Sequence, residues 1–335
     1  MTDRPVVDHG GALDRAIARF GGDRRQWLDL STGINPWPYP VPVIPADAWT
    51  RLPDEVALRD LTAAARAFYG APADVPVAVA PGSQALIQLL PRLVPPTDVA
   101  VVGPTYAEHA RCWALAGHAV QAIGGAEVGG SSARILVLVN PNNPDGRSWA
   151  PTELSALAAR QAARGSLLVV DEAFAEVMPE SSMAARAGAP GLVLLRSFGK
   201  FFGLAGLRLG FAFGPTGLIG RVNAALGPWA VAGPALEIGR AALSDRAWAA
   251  AMRARLAAAA RSLDGILSAA GLEPVGGTDL YRLVRIADAA RLADRLGGHH
   301  ILVRRFADRP DWLRFGLPPD EAAALRLRTA LANKG

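Results

Sequence analysis

The chain has 335 residues, of which 51% are hydrophobic, and its formal net charge is +5. This length and apolar content favour one large α/β unit with a smaller companion domain, and they exclude a disordered chain. The arginines are scattered without a basic, aromatic-rich run, and no apolar stretch approaches ~18 residues, so we expect neither a nucleic-acid nor a membrane partner. The single cysteine, Cys112, excludes a disulfide within the chain and suits a reducing compartment, which predicts a cytoplasmic protein. We predict no metal site.

The first segment combines a pattern suited to anions with a proline-rich connector. His9-Gly10-Gly11 precedes a helical stretch at residues 12–20, and the free N–H groups at a helix start attract anions. Residues 35–42 contain four prolines and cannot form a continuous helix or a central strand. We therefore predict that the segment 1–35 packs with a small domain at 227–335, and that residues 36–226 form the large domain.

Short valine- and leucine-rich runs alternate with alanine-rich helical stretches in the large domain. This alternation is typical of a mainly parallel sheet covered by helices on both faces. The predicted strands are Val75 to Ala80, Val99 to Val102, His118 to Ile123, Ile135 to Val139, Leu167 to Val170, Leu192 to Leu195 and Leu207 to Phe213. The glycine-rich residues 124–130 have no helical pattern after them, so we predict a surface turn there and not a phosphate loop.

The polar residues that are candidates for binding or catalysis follow the ends of these strands. They are Gly82-Ser83-Gln84, Thr105-Tyr106, Asn142-Asn143, Asp171-Glu172, and Ser197 with Lys200. Open parallel sheets bind ligands at the carboxyl ends of their strands, so residues far apart in sequence converge there. We predict a single crevice at this edge of the sheet.

Lys200 is one of only two lysines, the other being Lys334, whereas arginine occupies 33 of the 35 basic positions. A primary amine loses its proton when desolvated and then condenses with an aldehyde, which a guanidinium does not do. Lys200 is therefore a candidate for the covalent attachment of a cofactor. The alternative is a solvated lysine that follows a strand.

The composition shifts to alanine and arginine at helical spacing after about residue 226. Strand-like segments follow at Asp279 to Ile286, His300 to Arg304 and Trp312 to Gly316. This pattern predicts that the C-terminal part of the chain forms a small α+β domain.

Three motifs of the large domain carry a resemblance to a known family. They are Asn140-Pro141-Asn142-Asn143-Pro144-Asp145-Gly146, then Asp171-Glu172-Ala173-Phe174, then Ser197-Phe198-Gly199-Lys200 with Arg208 eight residues on. Their order and spacing resemble the class I/II aminotransferase superfamily of pyridoxal-phosphate enzymes, which implies a fold-type-I structure. His9-Gly10-Gly11, the segment 29–36 and the segment 312–318 resemble the decarboxylase branch of that superfamily, whose members act on threonine phosphate in cobalamin biosynthesis.

The resemblance implies a cofactor site for pyridoxal 5'-phosphate. Its residues are Gly82, Ser83, Gln84, Tyr106, Asn143, Asp171, Ser197, Lys200 and Arg208. Lys200 and Asp171 are the catalytic pair, because the cofactor needs an amine for its aldehyde and a carboxylate for its ring nitrogen. Asn143 would bind the ring's 3-oxygen and Tyr106 would stack on the ring face. The remaining residues surround the phosphate at the start of a helix.

The resemblance also implies residues that bind the substrate. They are His9, Gly10, Asn35, Asn143, Arg304 and Arg314. Arg314 would hold the α-carboxylate of the substrate, and Arg304 with His9 would hold a phosphate on it. Arg305 competes with Arg304 for this role.

Two residues depart from the common aminotransferase pattern. Phe174 stands where many members have a tyrosine that binds the 3-oxygen, and phenylalanine there resembles the decarboxylase branch. Leu52 replaces a tyrosine that often reaches the neighbouring subunit's cofactor, so a homodimer is expected without this contact.

The resulting expectation is the decarboxylation of L-threonine O-3-phosphate to (R)-1-aminopropan-2-yl phosphate. Histidinol-phosphate aminotransferase is an alternative of the same class, because the motifs permit either reaction. A cofactor-binding protein without catalysis is an alternative of another class. Fold alone does not choose among these functions.

Overall fold

The computed structural model describes residues 10–332, which group into two compact units. The larger unit contains residues 38–143 and 147–250. The smaller unit contains the described residues up to Trp37, the short segment Pro144–Gly146, and the described residues from Ala251 onward. The larger unit thus extends beyond the composition shift near residue 226.

The helices and strands follow each other along the chain in a mixed α/β order. The helices are α1 (Leu13–Phe20), α2 (Ala46–Thr50), α3 (Glu55–Tyr69), α4 (Ser83–Leu89), α5 (Glu108–Leu115), α6 (Pro151–Ala163), α7 (Phe198–Phe201), α8 (Thr216–Leu226), α9 (Gly233–Ser244), α10 (Arg246–Ala269), α11 (Ala289–Gly298) and α12 (Glu321–Ala332). The strands are β1 (Leu28–Leu30), β2 (Val77–Ala80), β3 (Asp98–Val102), β4 (Ala119–Ile123), β5 (Ile135–Val139), β6 (Leu167–Asp171), β7 (Leu192–Ser197), β8 (Gly210–Phe213), β9 (Pro274–Thr278), β10 (Tyr281–Arg285), β11 (Ile301–Phe306) and β12 (Arg309–Gly316). Within residues 10–332, no helix is long and apolar enough to cross a membrane.

The sheet of the larger unit has the strand order β2-β8-β7-β6-β5-β3-β4. The neighbouring strands β7, β6, β5, β3 and β4 pair in parallel, whereas β8 is antiparallel to both of its neighbours, β2 and β7. The prediction of a mainly parallel sheet is therefore confirmed. Val137, Val169 and Val193 lie side by side on three central strands and are fully buried, with Trp113 of α5 and Leu86 of α4 in the same core.

The predicted strand Leu207 to Phe213 began too early. Residues Ala205–Leu207 form a 3-10 helix, and Arg208 has a φ of 55° in the left-handed region, which an extended strand cannot include. β8 therefore starts only at Gly210. The glycine-rich residues 125–130, predicted as a surface turn, form a mostly exposed 3-10 helix.

The smaller unit contains a sheet in the order β1-β11-β12-β10-β9. The strand β9 was not predicted, because Pro274, Gly276 and Gly277 disfavour a strand locally. It forms because its backbone pairs with β10. Its glycines also allow a close backbone approach, since a Cβ on Gly276 would lie 2.2 Å from the carbonyl oxygen of Asp145.

Candidate active site

The strands β5 and β6 end in register at one edge of the larger sheet, and β7 continues there to Ser197. Val139, Asp171 and Leu195 are direct neighbours across the three strands. The backbone N–H of Asn140 donates to the carbonyl of Asp171 at 2.8 Å, which extends this alignment beyond the strands. The residues after these strands therefore gather at the same edge, as the sequence predicted for ligand binding.

Asp171 is a buried carboxylate held from two sides. The imidazole Nε2 of His109 lies 2.9 Å from its Oδ2, and the backbone N–H of Ala173 donates to its Oδ1 at 3.0 Å. Because a carboxylate only accepts, Nε2 carries the proton. His109 is itself buried in the first turn of α5. The sequence reasoning missed His109, although its position three residues after Tyr106 was a usable signal.

A glycine-lined corner lies where β8 meets the start of α4. An added Cβ on Gly82, whose φ is 89°, would lie 2.5 Å from a guanidinium nitrogen of Arg208. An added Cβ on Gly210 would lie 2.3 Å from the backbone nitrogen of Ser83. Gly210 is also the cross-strand neighbour of Ser197. The structure thus brings together the predicted phosphate residues Ser83, Ser197 and Arg208.

Lys200 lies in the short helix α7 directly after β7, with its side chain half-buried. Its Nζ is 5.9 Å from the ring centre of Phe174, which is buried. The rings of Phe198 and Phe202 on either side of the lysine stack with centroids 4.4 Å apart. These aromatic contacts fix the backbone that carries the amine.

The two adjacent asparagines after β5 have different surroundings. Asn142 is fully buried: its Oδ1 accepts from the hydroxyl of Thr105 at 2.6 Å and its Nδ2 donates to the carbonyl of Pro104 at 2.9 Å. It thereby ties the loop after β5 to the loop after β3. Asn143, the predicted ligand of the ring oxygen, is only partly buried and stands at the edge where Asp171 ends its strand.

Tyr106 and Gln84 are joined directly. The hydroxyl of Tyr106 donates to Oε1 of Gln84 at 3.0 Å, and Nε2 of Gln84 donates to Glu108 at 3.0 Å. The side chain of Gln84 is thus engaged within the protein. Its predicted contribution to a phosphate site is limited to its backbone N–H at the start of α4.

A buried ion network lies next to Asp171 and Ser197 in sequence. Arg196 donates to Glu172 at 2.6 Å and lies 3.7 Å from Glu176, all three being almost fully buried. Burial raises the pKa of Glu172 even though Arg196 acts in the opposite direction. The network joins the ends of β6 and β7, where the predicted cofactor residues Asp171 and Ser197 stand.

Two arginines of the smaller unit face each other across β11 and β12. Arg304 is the direct neighbour of Arg314. Arg314 is buried and donates to the carbonyl of Ser31 at 2.8 Å. Burial lowers the pKa of Arg314 to about 10, and the nearby Arg304 acts in the same direction. Two adjacent cations form a surface suited to an anionic ligand.

The start of the described chain also reaches Ser31. The N–H of Gly11 donates to the Ser31 hydroxyl at 2.7 Å, and an added Cβ on Gly10 would lie 2.5 Å from the Ser31 carbonyl oxygen. Gly10 therefore lies beside the residue that Arg314 contacts. His9, predicted as a substrate ligand, lies outside the described residues. Asn35 is buried, and its Oδ1 accepts from the N–H of Trp37 at 2.9 Å.

Arg305 is oriented differently from Arg304. Its guanidinium pairs with Asp294 of α11 at 3.1 Å, and both side chains are partly exposed. Adjacent residues of a strand point to opposite faces of the sheet. The structure therefore gives different partners to the two arginines that the sequence left in competition.

These residues suit pyridoxal phosphate. A buried carboxylate, a half-buried amine, a flat phenol and an arginine beside a helix start are the groups that this cofactor needs. The corner at Gly82 and Gly210 supports this fit, because side chains there would occupy the space beside the Ser83 N–H and the Arg208 guanidinium.

The chain belongs to the aminotransferase class I and II family, whose model matches residues 46–330. Among its relatives, the threonine-phosphate decarboxylase of a Sinorhizobium species is 48% identical over 98% of both chains. The threonine-phosphate decarboxylase of Pseudomonas aeruginosa is 48% identical over 97% of both chains. The crystal structure of the histidinol-phosphate aminotransferase from Sinorhizobium meliloti, in complex with pyridoxal-5'-phosphate, covers 98% of this chain and 94% of its own with a TM-score of 0.83 and 22% identity. This last likeness confirms the fold-type-I prediction.

Proposed function

We propose that the chain is a cytoplasmic, pyridoxal-phosphate-dependent enzyme that decarboxylates L-threonine O-3-phosphate to (R)-1-aminopropan-2-yl phosphate. The structural observation that carries this proposal is the pair of neighbouring arginines, Arg304 and Arg314, which suits a substrate with two anionic groups. The two relatives that match over nearly their whole length support the same reaction. The product is the phosphate ester of the amino alcohol that cobalamin biosynthesis requires.

The residues of the larger unit hold the cofactor. When bound, pyridoxal phosphate accepts the electron pair left behind when a bond at the substrate α-carbon breaks. Lys200 provides the amine for its covalent attachment. Asp171, held by His109, pairs with the ring nitrogen, because an ionised carboxylate stabilises a proton there. Tyr106 covers the ring face.

The anion-binding residues complete this assignment. Ser83, Ser197 and Arg208 hold the cofactor phosphate around the Gly82 corner. Asn143 donates to the ring's 3-oxygen. Phe174 is buried and has no hydroxyl to share in that interaction, in agreement with its resemblance to the decarboxylase branch.

The residues of the smaller unit orient the substrate. Arg314 holds the α-carboxylate and Arg304 holds the phosphate. His9 and Gly10 also bind at the phosphate end of the substrate, and Asn35 contributes to the substrate site. Arg304 is preferred over Arg305 because it shares a face with Arg314, whereas Arg305 pairs with Asp294. Holding both ends restricts rotation of the substrate, so that its orientation selects which bond at the α-carbon breaks. The resemblance to the decarboxylase branch at both ends of the chain, together with Phe174, favours the bond to the carboxylate.

The product identity tests this function. Purified protein is supplied with threonine phosphate, and separately with histidinol phosphate and 2-oxoglutarate, while carbon dioxide and glutamate are measured. We expect carbon dioxide from threonine phosphate in a stoichiometric ratio to aminopropanol phosphate. Glutamate without carbon dioxide would replace this proposal with an aminotransferase, and neither product would favour a non-catalytic cofactor-binding protein.

We also propose that the enzyme is a homodimer built on one apolar face of the larger unit. Trp49, Leu52 and Trp229 expose 69%, 65% and 59% of their surface, and Val43 and Val56 are also exposed. A groove of about 490 Å³ adjoins them between residues 53–62 and 223–236. Large apolar patches of this kind mark protein interfaces. Leu52 would therefore contribute apolar contact where a tyrosine would reach across.

Charged substitutions on this face are expected to separate the subunits. Trp49→Glu combined with Leu52→Glu should convert a particle of about twice the chain mass into a monomer, because two charges would be buried without partners. Light scattering after size-exclusion chromatography measures the mass. Leu115→Glu, also at an exposed leucine of the larger unit, serves as the control and should stay dimeric. A wild-type monomer at micromolar concentration would contradict the proposal.

A further inference from the structure

Glu108 is a buried carboxylate that the cofactor assignment leaves without a role. Only 3% of its surface is exposed, although it stands in the first turn of α5. It accepts from Nε2 of Gln84 at 3.0 Å and from Arg111 at 3.1 Å, and the thiol of Cys112 lies 3.8 Å from it. Burial raises the pKa of that thiol to about 11, and the negative charge of Glu108 is the second cause. Cys112 therefore stays protonated at neutral pH.

The carboxylate sets the direction of the adjoining hydrogen bonds. An ionised carboxylate only accepts, so the NH₂ group of Gln84 must face Glu108. The amide oxygen of Gln84 then faces Tyr106, and the Tyr106 hydroxyl must donate to it, as the 3.0 Å contact requires. A neutral amide in place of Glu108 would remove this constraint, because the Gln84 amide could then turn over.

We infer that Glu108 is a positioning residue for Tyr106 and that it acts through the amide of Gln84. The inference rests on the proposed function in one respect, namely that Tyr106 covers the cofactor ring. Glu108 holds the hydroxyl end of Tyr106 and so determines the tilt of its ring. It also keeps the phenol proton directed at Gln84, so that Tyr106 contributes a flat surface and not an acid.

Glu108 also stands directly before a residue that contacts Asp171. The next residue, His109, contacts Asp171 at 2.9 Å. One helical turn therefore fixes both the residue on the ring face and the residue at the ring nitrogen. A small displacement of α5 would move both contacts together.

A double-mutant cycle tests the inference with pyridoxal phosphate as the probe. The full chain is prepared as Tyr106→Phe, Glu108→Gln and the double variant, and each is titrated with the cofactor. Absorbance gives the dissociation constant, visible circular dichroism reports the tilt of the bound ring, and the melting temperature of the cofactor-free protein reports folding. Since a net hydrogen bond contributes modestly, we expect each single variant to bind about three- to tenfold more weakly.

The interaction between the two substitutions decides the outcome. If Glu108 acts through the Tyr106 hydroxyl, Glu108→Gln changes neither affinity nor dichroism once Tyr106 is phenylalanine. Equal losses in both backgrounds would overturn the inference and leave Glu108 a structural residue. Gln84→Met removes the amide that links Glu108 to Tyr106, and it provides a second test of the inference if Glu108→Gln folds poorly.

The readout separates this inference from the proposed reaction. Affinity and dichroism report the cofactor itself, so finding a transaminated product would overturn the decarboxylase proposal and leave this result standing. A wild-type chain that does not bind pyridoxal phosphate would overturn both.

Discussion

Replacing Lys200 by alanine is expected to abolish turnover while the chain stays folded. The amine provides the covalent attachment of the cofactor, and the sequence contains only one other lysine, Lys334, at its penultimate position. Loss of a covalent catalytic group lowers the rate by roughly 10⁴-fold or more. The variant should also lose the yellow absorbance of the lysine-bound cofactor, while retaining weak cofactor binding through the phosphate residues. Absorbance spectra and carbon dioxide release measure the two effects.

The sequence supplies a matched control for this experiment. Lys334 is the only other lysine, so Lys334→Ala removes the same functional group elsewhere in the chain. We expect this variant to keep both colour and rate. A Lys200→Ala protein with the wild-type rate would show that Lys200 is not the catalytic amine.

Arg304→Ala is expected to weaken threonine phosphate far more than unphosphorylated threonine. The guanidinium would bind the phosphate, and removing one member of a charged, hydrogen-bonded pair costs ~2–5 kcal/mol, which corresponds to about thirtyfold or more in affinity. Threonine lacks the phosphate and should lose little. Changes in the absorbance of the cofactor-loaded protein on addition of each ligand give the two dissociation constants.

Arg305→Ala is the control because it removes an identical group from the next residue of the same strand. Its partner Asp294 also pairs with Arg19, so the ion pair at the surface is only partly lost. Exposed pairs of this kind contribute little to stability. We expect unchanged affinity for both ligands. If Arg305→Ala caused the phosphate-specific loss instead, the assignment based on strand register would be wrong.

The local patterns of the sequence located most of the larger sheet. The run Ile135 to Val139 was predicted with both its ends, and the starts of β6 and β7 were predicted at Leu167 and Leu192. These strands are buried, so they appear as continuous apolar runs that local reasoning recognises. The strand β9 was missed for the opposite reason, because it contains a proline and two glycines and depends on pairing with β10.

The sequence by itself determined the chemistry of this protein. A lysine in a lysine-poor chain, a carboxylate after an apolar strand and the spacing between them pointed to a cofactor-dependent enzyme, because these reactive groups are properties of single residues and short motifs. The tertiary structure alone decided how those groups are held. It placed His109 against Asp171, engaged Gln84 with Tyr106, and gave Arg304 and Arg305 different partners, since each of these depends on strand register or on contacts between residues distant in sequence, which local patterns do not record.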